Sequence, residues 1–507
     1  MISCIPMLLS QLFVRSYGTA GIDCSWSIVQ TPDGGYGIAG YTTGFGAGGY
    51  DGMALKLNPW GGPAWVRTVG GPSIDDIMCV TPSVEGDGGL VFAGSTQSYG
   101  VDGSDVFIFK MTSAGNLSWV RTFDLPTMDD ELARYIVPSS DGGYVVAAYA
   151  RPVGAGQYYD FLVLKLSSDG NLLWARTFVQ AGTDELAVSI TGTTDGGCAV
   201  VGYSGSGPTY VLALRFDASG NLSWARRYWI AGADMPRSII QTSDGGFAIA
   251  GYTSYGAGVS DCFVLKLDPS GGISWARTYG GPNTEDAMSI IQTSDGGYAI
   301  VGMTRSWGVG NNDVLLIKLN SAGAVSWART FGGMGFEYGN SIVQTSDGGY
   351  AIAGYTDSYS AGSYDYLILR LDQNGYNPDY PGCIRDCSPT EMTPTFNASS
   401  PTGAQTVFPS SSNPSPSVMT PTLNITNICA PVYIAEVASD PRPRITCSPV
   451  SGGTLFVSPV AIPLRIYSAD AKLVYSGNLE KGENRINLDR GVYLWQAGAH
   501  KGKAVVR

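Results

Sequence analysis

Histidine is almost absent from this chain of 507 residues: the only one is His500, close to the C-terminal end. Imidazole is the commonest general base and transition-metal ligand in proteins, so histidine triads and histidine-ligated zinc are excluded from the body of the chain. Basic residues are also scarce, with 30 Lys and Arg against 42 Asp and Glu and a net charge of −12. A chain without basic stripes is not expected to bind nucleic acid.

Long apolar runs are missing as well, and no stretch is long enough to predict a transmembrane segment. The apolar start, residues 1–10, has no positively charged region before it. It is either the remnant of a secretory signal or a disordered N-terminus. Charged residues make up only 14% of the chain, whereas glycine reaches 69 residues. This balance favours short strands joined by tight turns over helices.

What the sequence does contain is a repeat. Asp-Gly-Gly between two apolar runs recurs about every fifty residues, and it predicts a hairpin because glycine supplies the positive φ of such turns. The seven copies begin at Asp33, Asp87, Asp141, Asp195, Asp244, Asp295 and Asp347. Each period holds four strand-like runs, which together predict a four-stranded antiparallel meander. A period of this length is typical of a propeller blade.

The ends of the repeat predict a closed ring. The seventh copy lacks its fourth strand, while an unmatched fourth strand, LFVRSYG, stands at Leu12 to Gly18. We therefore predict an all-β chain in which residues 11–378 form a seven-bladed β-propeller, with the N-terminal strand closing the last blade.

A tryptophan four residues after a glycine marks the fourth strand of each unit, as in LDPSGGISW. This element resembles the tryptophan-docking motif of quinoprotein-type propellers, in which an indole lies between adjacent blades. The resemblance implies a structural role rather than a cofactor site, with Phe13 replacing the seventh indole. The tryptophans are Trp65, Trp119, Trp174, Trp224, Trp275 and Trp327.

Composition changes after the propeller. Residues 379–431 are rich in Ser, Thr and Pro, which predicts an extended linker that buries little. Residues 432–507 return to strand-like runs, including RIYSADAKLVY and INLDRGVYLWQ. They resemble the C-terminal sorting domain of type IX secretion cargo, which implies a small Ig-like β-sandwich, interaction with a secretion machinery and a place outside the bacterial outer membrane. A sandwich without a sorting role is the alternative.

Seven of the nine cysteines fall into two groups. Cys79, Cys198 and Cys262 each replace a small or apolar residue of the repeat and are expected in the core. Four others follow the repeats, and their spacing is a poor zinc signature, so disulfides are the favoured interpretation. These four are Cys383, Cys387, Cys429 and Cys447.

An acidic residue precedes the first strand of every blade, where blade-to-blade loops gather on one face of a propeller. Such a ring could place negative potential at one mouth of the channel and hold a cation or a cationic partner. Because the feature occurs in every blade, turn capping is the favoured alternative. The ring comprises Asp23, Asp75, Glu131, Glu185, Asp234, Glu285 and Glu337.

Aromatic residues in the loops between second and third strands are the second candidate. They could stack on sugar rings or on a protein surface, or they could wedge neighbouring loops together. They are Phe45, Tyr99, Tyr255, Trp307 and Tyr359. Every third strand also carries Lys or Arg, and this regularity predicts a repeated inter-strand or inter-blade ion pair.

No cofactor is expected. The segment from Asp372 to Asp379 has oxygen ligands at loop spacing and could bind Ca²⁺, but it lacks a full ligand set and a turn is the alternative. The sequence therefore predicts an exported, monomeric binding or adhesion protein that recognises a glycan or protein ligand. A hydrolase or lyase using carboxylates, or a scaffold, are the alternatives.

Overall fold

The computed structural model describes residues 12–377, apart from 101–102, 126–127, 153–157, 180–181, 206–208 and 230–231. It also describes residues 384–392 and, beyond them, the backbone of the strands given below. All regular structure in these residues is β-strand, and they contain no helix that could cross a membrane. The N-terminal segment 1–10 and Asp379 lie outside the described residues.

The repeat forms hairpins because the Asp-Gly-Gly turn satisfies its own backbone. In the fifth copy the Asp244 carboxylate accepts hydrogen bonds from the Gly246 amide (3.0 Å) and the Thr242 hydroxyl (2.5 Å). The glycine between them, Gly245, has a φ of 80°, which other residues rarely adopt. Each hairpin begins a four-stranded antiparallel sheet.

Seven such sheets make seven blades, and the predicted all-β, seven-bladed propeller is confirmed. The blade strands are, in chain order, β1 (Phe13–Gly18); blade 1, β2 (Asp23–Gln30), β3 (Tyr36–Thr42), β4 (Asp51–Leu57), β5 (Pro63–Gly70); blade 2, β6 (Asp75–Pro82), β7 (Leu90–Thr96), β8 (Asp105–Met111), β9 (Leu117–Asp124); blade 3, β10 (Met128–Pro138), β11 (Tyr144–Pro152), β12 (Asp160–Leu166), β13 (Leu172–Phe178); blade 4, β14 (Glu185–Gly192), β15 (Cys198–Ser204), β16 (Tyr210–Phe216), β17 (Leu222–Trp229); blade 5, β18 (Asp234–Gln241), β19 (Phe247–Thr253), β20 (Asp261–Leu267), β21 (Ile273–Gly280); blade 6, β22 (Glu285–Gln292), β23 (Tyr298–Thr304), β24 (Asp313–Leu319), β25 (Val325–Phe331); blade 7, β26 (Glu337–Gln344), β27 (Tyr350–Thr356), β28 (Asp365–Leu371).

The last blade is completed from the other end of the chain. Strand β1 pairs antiparallel with β28, in a register that sets Phe13 opposite Arg370 and Tyr17 opposite Tyr366. The Tyr366 hydroxyl also donates to the Met53 carbonyl of blade 1 (2.8 Å). Blade 7 is therefore held to blade 1, and the predicted ring closure is confirmed.

The core lies between blades. One cluster joins Ala199 and Val201 of blade 4 to Ile249 and Leu265 of blade 5, all buried. Because both faces of each middle strand meet a neighbouring blade, the runs are apolar without alternation. Buried Cys79, Cys198 and Cys262 belong to these clusters as free thiols, as expected.

Each fourth-strand aromatic ring packs on a glycine of the next blade. A Cβ on Gly115 would lie 2.7 Å from the Trp65 ring, and one on Gly61 would lie 2.9 Å from Phe13. The Trp65 indole also donates to the Ser113 carbonyl (3.0 Å). Corresponding glycines face Trp119, Trp174, Trp224, Trp275 and Trp327. The rings thus stabilise the blade-to-blade packing.

The segment after the propeller contains short strands that pair with the blades. Seven short strands, which we call the belt, pair antiparallel with the outermost strand of each blade in turn, in the order 6, 5, 4, 3, 2, 1, 7. They are β29 (Ile384–Asp386), β30 (Thr390–Met392), β31 (Asn397–Ser399), β32 (Ala404–Val407), β33 (Ser410–Ser412), β34 (Ser417–Met419) and β35 (Asn424–Asn427).

The belt bears on two predictions. Its strands are extended, as predicted for residues 379–431, but they are hydrogen-bonded to the blades, because the outer strand of a blade offers unpaired N–H and C=O groups to which an extended chain can bond. Cys387 lies half-buried against blade 6 as a free thiol, so a disulfide at this residue is wrong. The side chains of Cys383, Cys429 and Cys447 are outside the described part of the chain.

The chain divides into two compact units, Met1–Pro431 and Val432–Arg507. The second contains a three-stranded and a four-stranded sheet. Its strands are β36 (Thr446–Val450), β37 (Gly453–Ser458), β38 (Ile462–Ser468), β39 (Leu473–Leu479), β40 (Gly482–Ile486), β41 (Gly491–Ala497) and β42 (His500–Val506). The Ig-like sandwich stays a prediction.

Candidate functional site

One face of the propeller collects the loops between second and third strands and those between blades; we call it the loop face. Its loops are bonded to one another at every blade junction. The backbone N–H of the acidic residue that opens each blade donates to a carbonyl just before the third strand of the preceding blade, as from Glu285 to Ser260 (2.8 Å). The other six amide donors are Asp23, Asp75, Glu131, Glu185, Asp234 and Glu337.

The side chains of these acids are 0–1% exposed, so they do not line an open acidic mouth. They cap turns. Glu285 accepts hydrogen bonds from the Gly281 amide (2.6 Å) and the Thr304 hydroxyl (2.8 Å). Glu337 has the same pair of partners in the next blade, Gly333 and Thr356. Turn capping, the interpretation that the repetition in every blade favoured, describes this geometry.

A second ring of carboxylates lies beside the first. Six third strands begin with a buried Asp, and each faces the acid of the following blade. Burial is the main cause of a raised pKa at Asp160, about 7, and at Asp365, about 6. The nearby carboxylates Glu185 and Asp23 respectively raise them further. Like charges and low solvation both disfavour the ionised form.

The junction between blades 2 and 3 departs from this pattern at two positions. Asp124 ends β9 where four other blades have glycine, and Ala150 faces Glu131 where six other blades have a Thr or Ser hydroxyl. Asp105, Asp124 and Glu131 bring one carboxylate oxygen each within 4.8 Å of one another. Burial, then the Asp124 charge, raises the pKa of Glu131 to about 8.

Of these residues, Glu131 was a predicted site residue, whereas Asp105, Asp124 and Ala150 were not. The signal was present: aligning the seven repeats places Asp124 in the column of Gly18, Gly70, Gly280 and Gly332. A departure from a repeat is more informative than a feature shared by all blades, because shared features serve the shared fold.

Three of the five candidate aromatic residues connect neighbouring loops. The Tyr99 hydroxyl donates to the Gly70 carbonyl (3.0 Å), and that of Tyr359 donates to the Gly332 carbonyl (3.2 Å). A Cβ on Gly281 would lie 2.8 Å from the Trp307 ring. Phe45 is half-buried, whereas Tyr255 is 36% exposed. The interpretation that the aromatic rings wedge neighbouring loops together therefore fits Tyr99, Trp307 and Tyr359. All three are half-buried, so part of each ring stays exposed to solvent.

A cavity of about 640 Å³ opens beside Tyr359, between the loops of blades 6 and 7. Its apolar lining includes Val309 and Met334, of which Met334 is 76% exposed. Its polar lining includes Asp357 and Arg385, and Arg385 comes from belt strand β29. The cavity thus combines an aromatic ring, apolar side chains and a cation, and residues 332–335 line one wall.

The opposite face, which carries the Asp-Gly-Gly hairpins, holds the predicted ion pairs. In each blade the Lys or Arg of the third strand contacts the hairpin Asp, for example Lys318 and Asp295 at 2.8 Å. The other pairs are Lys56–Asp33, Lys110–Asp87, Lys165–Asp141, Arg215–Asp195, Lys266–Asp244 and Arg370–Asp347. These inter-strand pairs have a structural role. Asp372 likewise forms a turn, accepting from the Asn374 and Tyr376 amides (2.9 and 2.8 Å).

No family model and no curated protein matches the chain. Among solved structures, Sqt1 from Chaetomium thermophilum is 13% identical with a TM-score of 0.40, covering 71% of this chain and 99% of Sqt1. A variant NanB sialidase from Streptococcus pneumoniae is 10% identical with a TM-score of 0.39, covering 71% of this chain and 69% of the sialidase. A GH43 glycoside hydrolase is 10% identical with a TM-score of 0.24, covering 74% and 84%. At these scores the likenesses carry no argument about ligand or activity.

Proposed function

We propose that this chain is an exported binding protein whose loop face recognises a carboxylated glycan in the cavity between blades 6 and 7. The observation that carries the proposal is the lining of that cavity, which sets Arg385 beside the ring of Tyr359. A volume of about 640 Å³ is within the range of small-ligand sites.

The chemistry of the lining favours an acidic sugar. The exposed guanidinium of Arg385 can donate two parallel hydrogen bonds to a carboxylate. The Tyr359 ring is held by its hydroxyl on Gly332 and can stack on the apolar face of a pyranose. Met334 adds exposed apolar surface at the rim. Neutral sugars would gain the stacking but not the charge-assisted hydrogen bonds.

Binding is favoured over hydrolysis by the position of the carboxylates. Glycoside cleavage needs two carboxylates facing the substrate. The acids that open the blades are buried in the junctions, and the cavity lining contains Asp357 as its acidic residue. The Asp357 carboxylate already accepts a hydrogen bond from the Phe336 amide (2.6 Å). A glycosidase therefore remains the second candidate function, and a ligand-free scaffold the third.

The binding experiment uses the full chain on a glycan array, followed by calorimetry on the glycans retained. We expect uronate- or sialate-bearing glycans to bind and their neutral counterparts to bind about tenfold more weakly or worse, since a charge-assisted hydrogen bond contributes about 1.5–3 kcal/mol. Arg385→Gln should remove this preference. Arg305→Gln, at another exposed loop-face arginine outside the cavity lining, should not.

Two results would contradict the binding proposal. One is equal affinity of Arg385→Gln and the unmodified chain for every retained glycan. The other is release of product from a retained glycan, which would favour the hydrolase. Retention of proteins alone, with no glycan bound, would favour the protein-ligand alternative.

Export is the second part of the proposal and rests on the sequence resemblance of residues 432–507. Expressed in a bacterium with type IX secretion, the full chain should reach the cell surface or medium, whereas a chain ending at Pro431 should stay in the periplasm. The propeller unit Met1–Pro431 is compact by itself, so its folding can be checked by circular dichroism as the control. Equal export of both chains would contradict a sorting role.

A further inference from the structure

The junction between blades 2 and 3 is the only one of the seven in which the residue ending the fourth strand is acidic. At the other six junctions that position holds glycine, valine or tryptophan, at Gly18, Gly70, Val179, Trp229, Gly280 and Gly332. Asp124 therefore adds a third carboxylate to the pair that Asp105 and Glu131 form. The three come from β8, β9 and β10, so they join two blades.

The cluster is compact and mostly shielded from solvent. One carboxylate oxygen of each residue lies within 4.8 Å of those of the other two. Asp105 is 2% exposed and Glu131 is 1% exposed, while Asp124 is half-buried. Three carboxylates at this separation repel one another strongly when ionised, because burial lowers the effective dielectric.

Glu131 supplies a second, independent observation. One of its oxygens accepts a hydrogen bond from the Leu125 amide (3.3 Å), whereas the other, Oε2, is buried and has no hydrogen-bond donor among the residues that the structure describes. In the matching junction of blade 6, both oxygens of Glu285 are used, by Gly281 and Thr304. The hydroxyl is missing beside Glu131 because Ala150 occupies its place in β11.

The neighbouring basic side chain is paired with other carboxylates. Arg151 follows Ala150 in β11, but its guanidinium contacts the carboxylates of Asp129 and Asp130. The Asp130 carboxylate in turn accepts from the Ser104 amide (3.2 Å). Compared with the other junctions, this one thus has one more carboxylate and lacks the hydroxyl donor. Within the described part of the chain the buried Oε2 of Glu131 has no donor, which costs free energy unless a ligand binds there.

We propose that Asp105, Asp124 and Glu131 bind one Ca²⁺ ion that joins blade 2 to blade 3. All three residues supply hard oxygen donors, and Ca²⁺ prefers such ligands at 2.3–2.6 Å. Two ligands on opposite sides of the ion are then about 5 Å apart, which the observed separations can accommodate. Mg²⁺ requires a tighter octahedron and keeps more of its water, so it fits less well. Because Asp124 is only half-buried, a hydrated ion entering from solvent meets this carboxylate first.

The test measures Ca²⁺ binding to the full chain after treatment with a chelator, by calorimetry and by the shift in melting temperature. We expect one saturable Ca²⁺ per chain and a higher melting temperature on binding. Mg²⁺ should bind about tenfold more weakly or worse. Asp124→Gly restores the residue that four other blades carry, so it should fold and yet lose about tenfold or more in Ca²⁺ affinity.

Two further variants distinguish Ca²⁺ binding at this cluster from nonspecific attraction by nearby acidic residues. Ala150→Thr returns the hydroxyl found in the other blades, and it should weaken Ca²⁺ binding while stabilising the ion-free protein. Asp129→Asn removes a nearby acid that contacts Arg151 and lies outside the cluster, and it should leave Ca²⁺ affinity unchanged. The proposal is overturned by the absence of a saturable site, by unchanged affinity in Asp124→Gly, or by Mg²⁺ binding as tightly as Ca²⁺.

Discussion

The two faces of the propeller hold their carboxylates in opposite ways. On the hairpin face, each Asp-Gly-Gly carboxylate contacts a Lys or Arg of the third strand, as Asp295 contacts Lys318. On the loop face, carboxylates lie beside other carboxylates and accept hydrogen bonds mainly from amides and hydroxyls, as Asp261 does from the Ala257 amide (2.6 Å). The same residue type thus meets a cation on one face and a like charge on the other.

This difference appears in the pKa values. Hydrogen bonds and the cationic partner lower the pKa of Asp244 and of Asp295 to about 2 against the opposing effect of burial. On the loop face burial dominates, and it raises the pKa of Asp365 to about 6. The carboxylates of the hairpin face are therefore each balanced by a cation, whereas Asp365 on the loop face lies beside another carboxylate, which disfavours its ionised form.

The largest expected effect comes from breaking the close packing on the loop face. A Cβ on Gly280 would overlap the carboxylate of Asp261, which is fully buried and held by the Ala257 amide. Gly280→Ala should therefore lower the free energy of unfolding by about 3 kcal/mol or more, measured by urea denaturation.

Gly296 on the hairpin face is the matched control. Its φ is 80° and a Cβ there would meet nothing within 4 Å, so Gly296→Ala tests backbone strain alone and should cost about 1 kcal/mol. Equal losses in the two variants would show that crowding by Asp261 does not distinguish the faces.

Much of the fold could be predicted from the sequence because the repeat exposes it. Seven Asp-Gly-Gly turns gave the blade count, and the missing fourth strand after Asp365 pointed to Phe13 as its replacement. The Lys or Arg in every third strand predicted the ion pairs of the hairpin face. In each case the physical constraint is local or is repeated in every blade, so composition and spacing reveal it.

The belt could not be predicted in the same way. Strands such as β30 (Thr390–Met392) pair through backbone groups, which any residue supplies, so a Ser/Thr/Pro-rich sequence carries no sign of its partner. For a related reason, the sequence favoured turn capping by the acidic ring but left an open acidic mouth as a second interpretation. Spacing gives the position of Glu285 in its loop, but whether its side chain faces solvent or the Gly281 amide depends on the neighbouring blade.

The smaller expected effect is a pH dependence of opposite sign on the two faces. The lowered pKa of Asp295 means that its contribution to stability is present above pH 3.8 and is lost as pH falls towards 2. The raised pKa of Asp365 means that ionising this carboxyl in the folded chain lowers the free energy of unfolding. This penalty is absent below pH 3.8 and grows as pH rises to about 6. The charged group that faces Asp365 is Asp23.

Asp295→Asn should therefore destabilise the chain by about 1 kcal/mol at pH 6, a modest amount because the carboxylate is 63% exposed, and the loss should shrink towards pH 3. Asp365→Asn can keep the hydrogen bond from the Ala361 amide (2.9 Å), and it should gain about 1–2 kcal/mol relative to the unmodified chain between pH 4 and pH 7. Urea denaturation across pH 3–7 measures both slopes. Parallel slopes for the two variants would mean that both carboxylates meet the same electrostatic environment, and the contrast between the faces would then have to be abandoned.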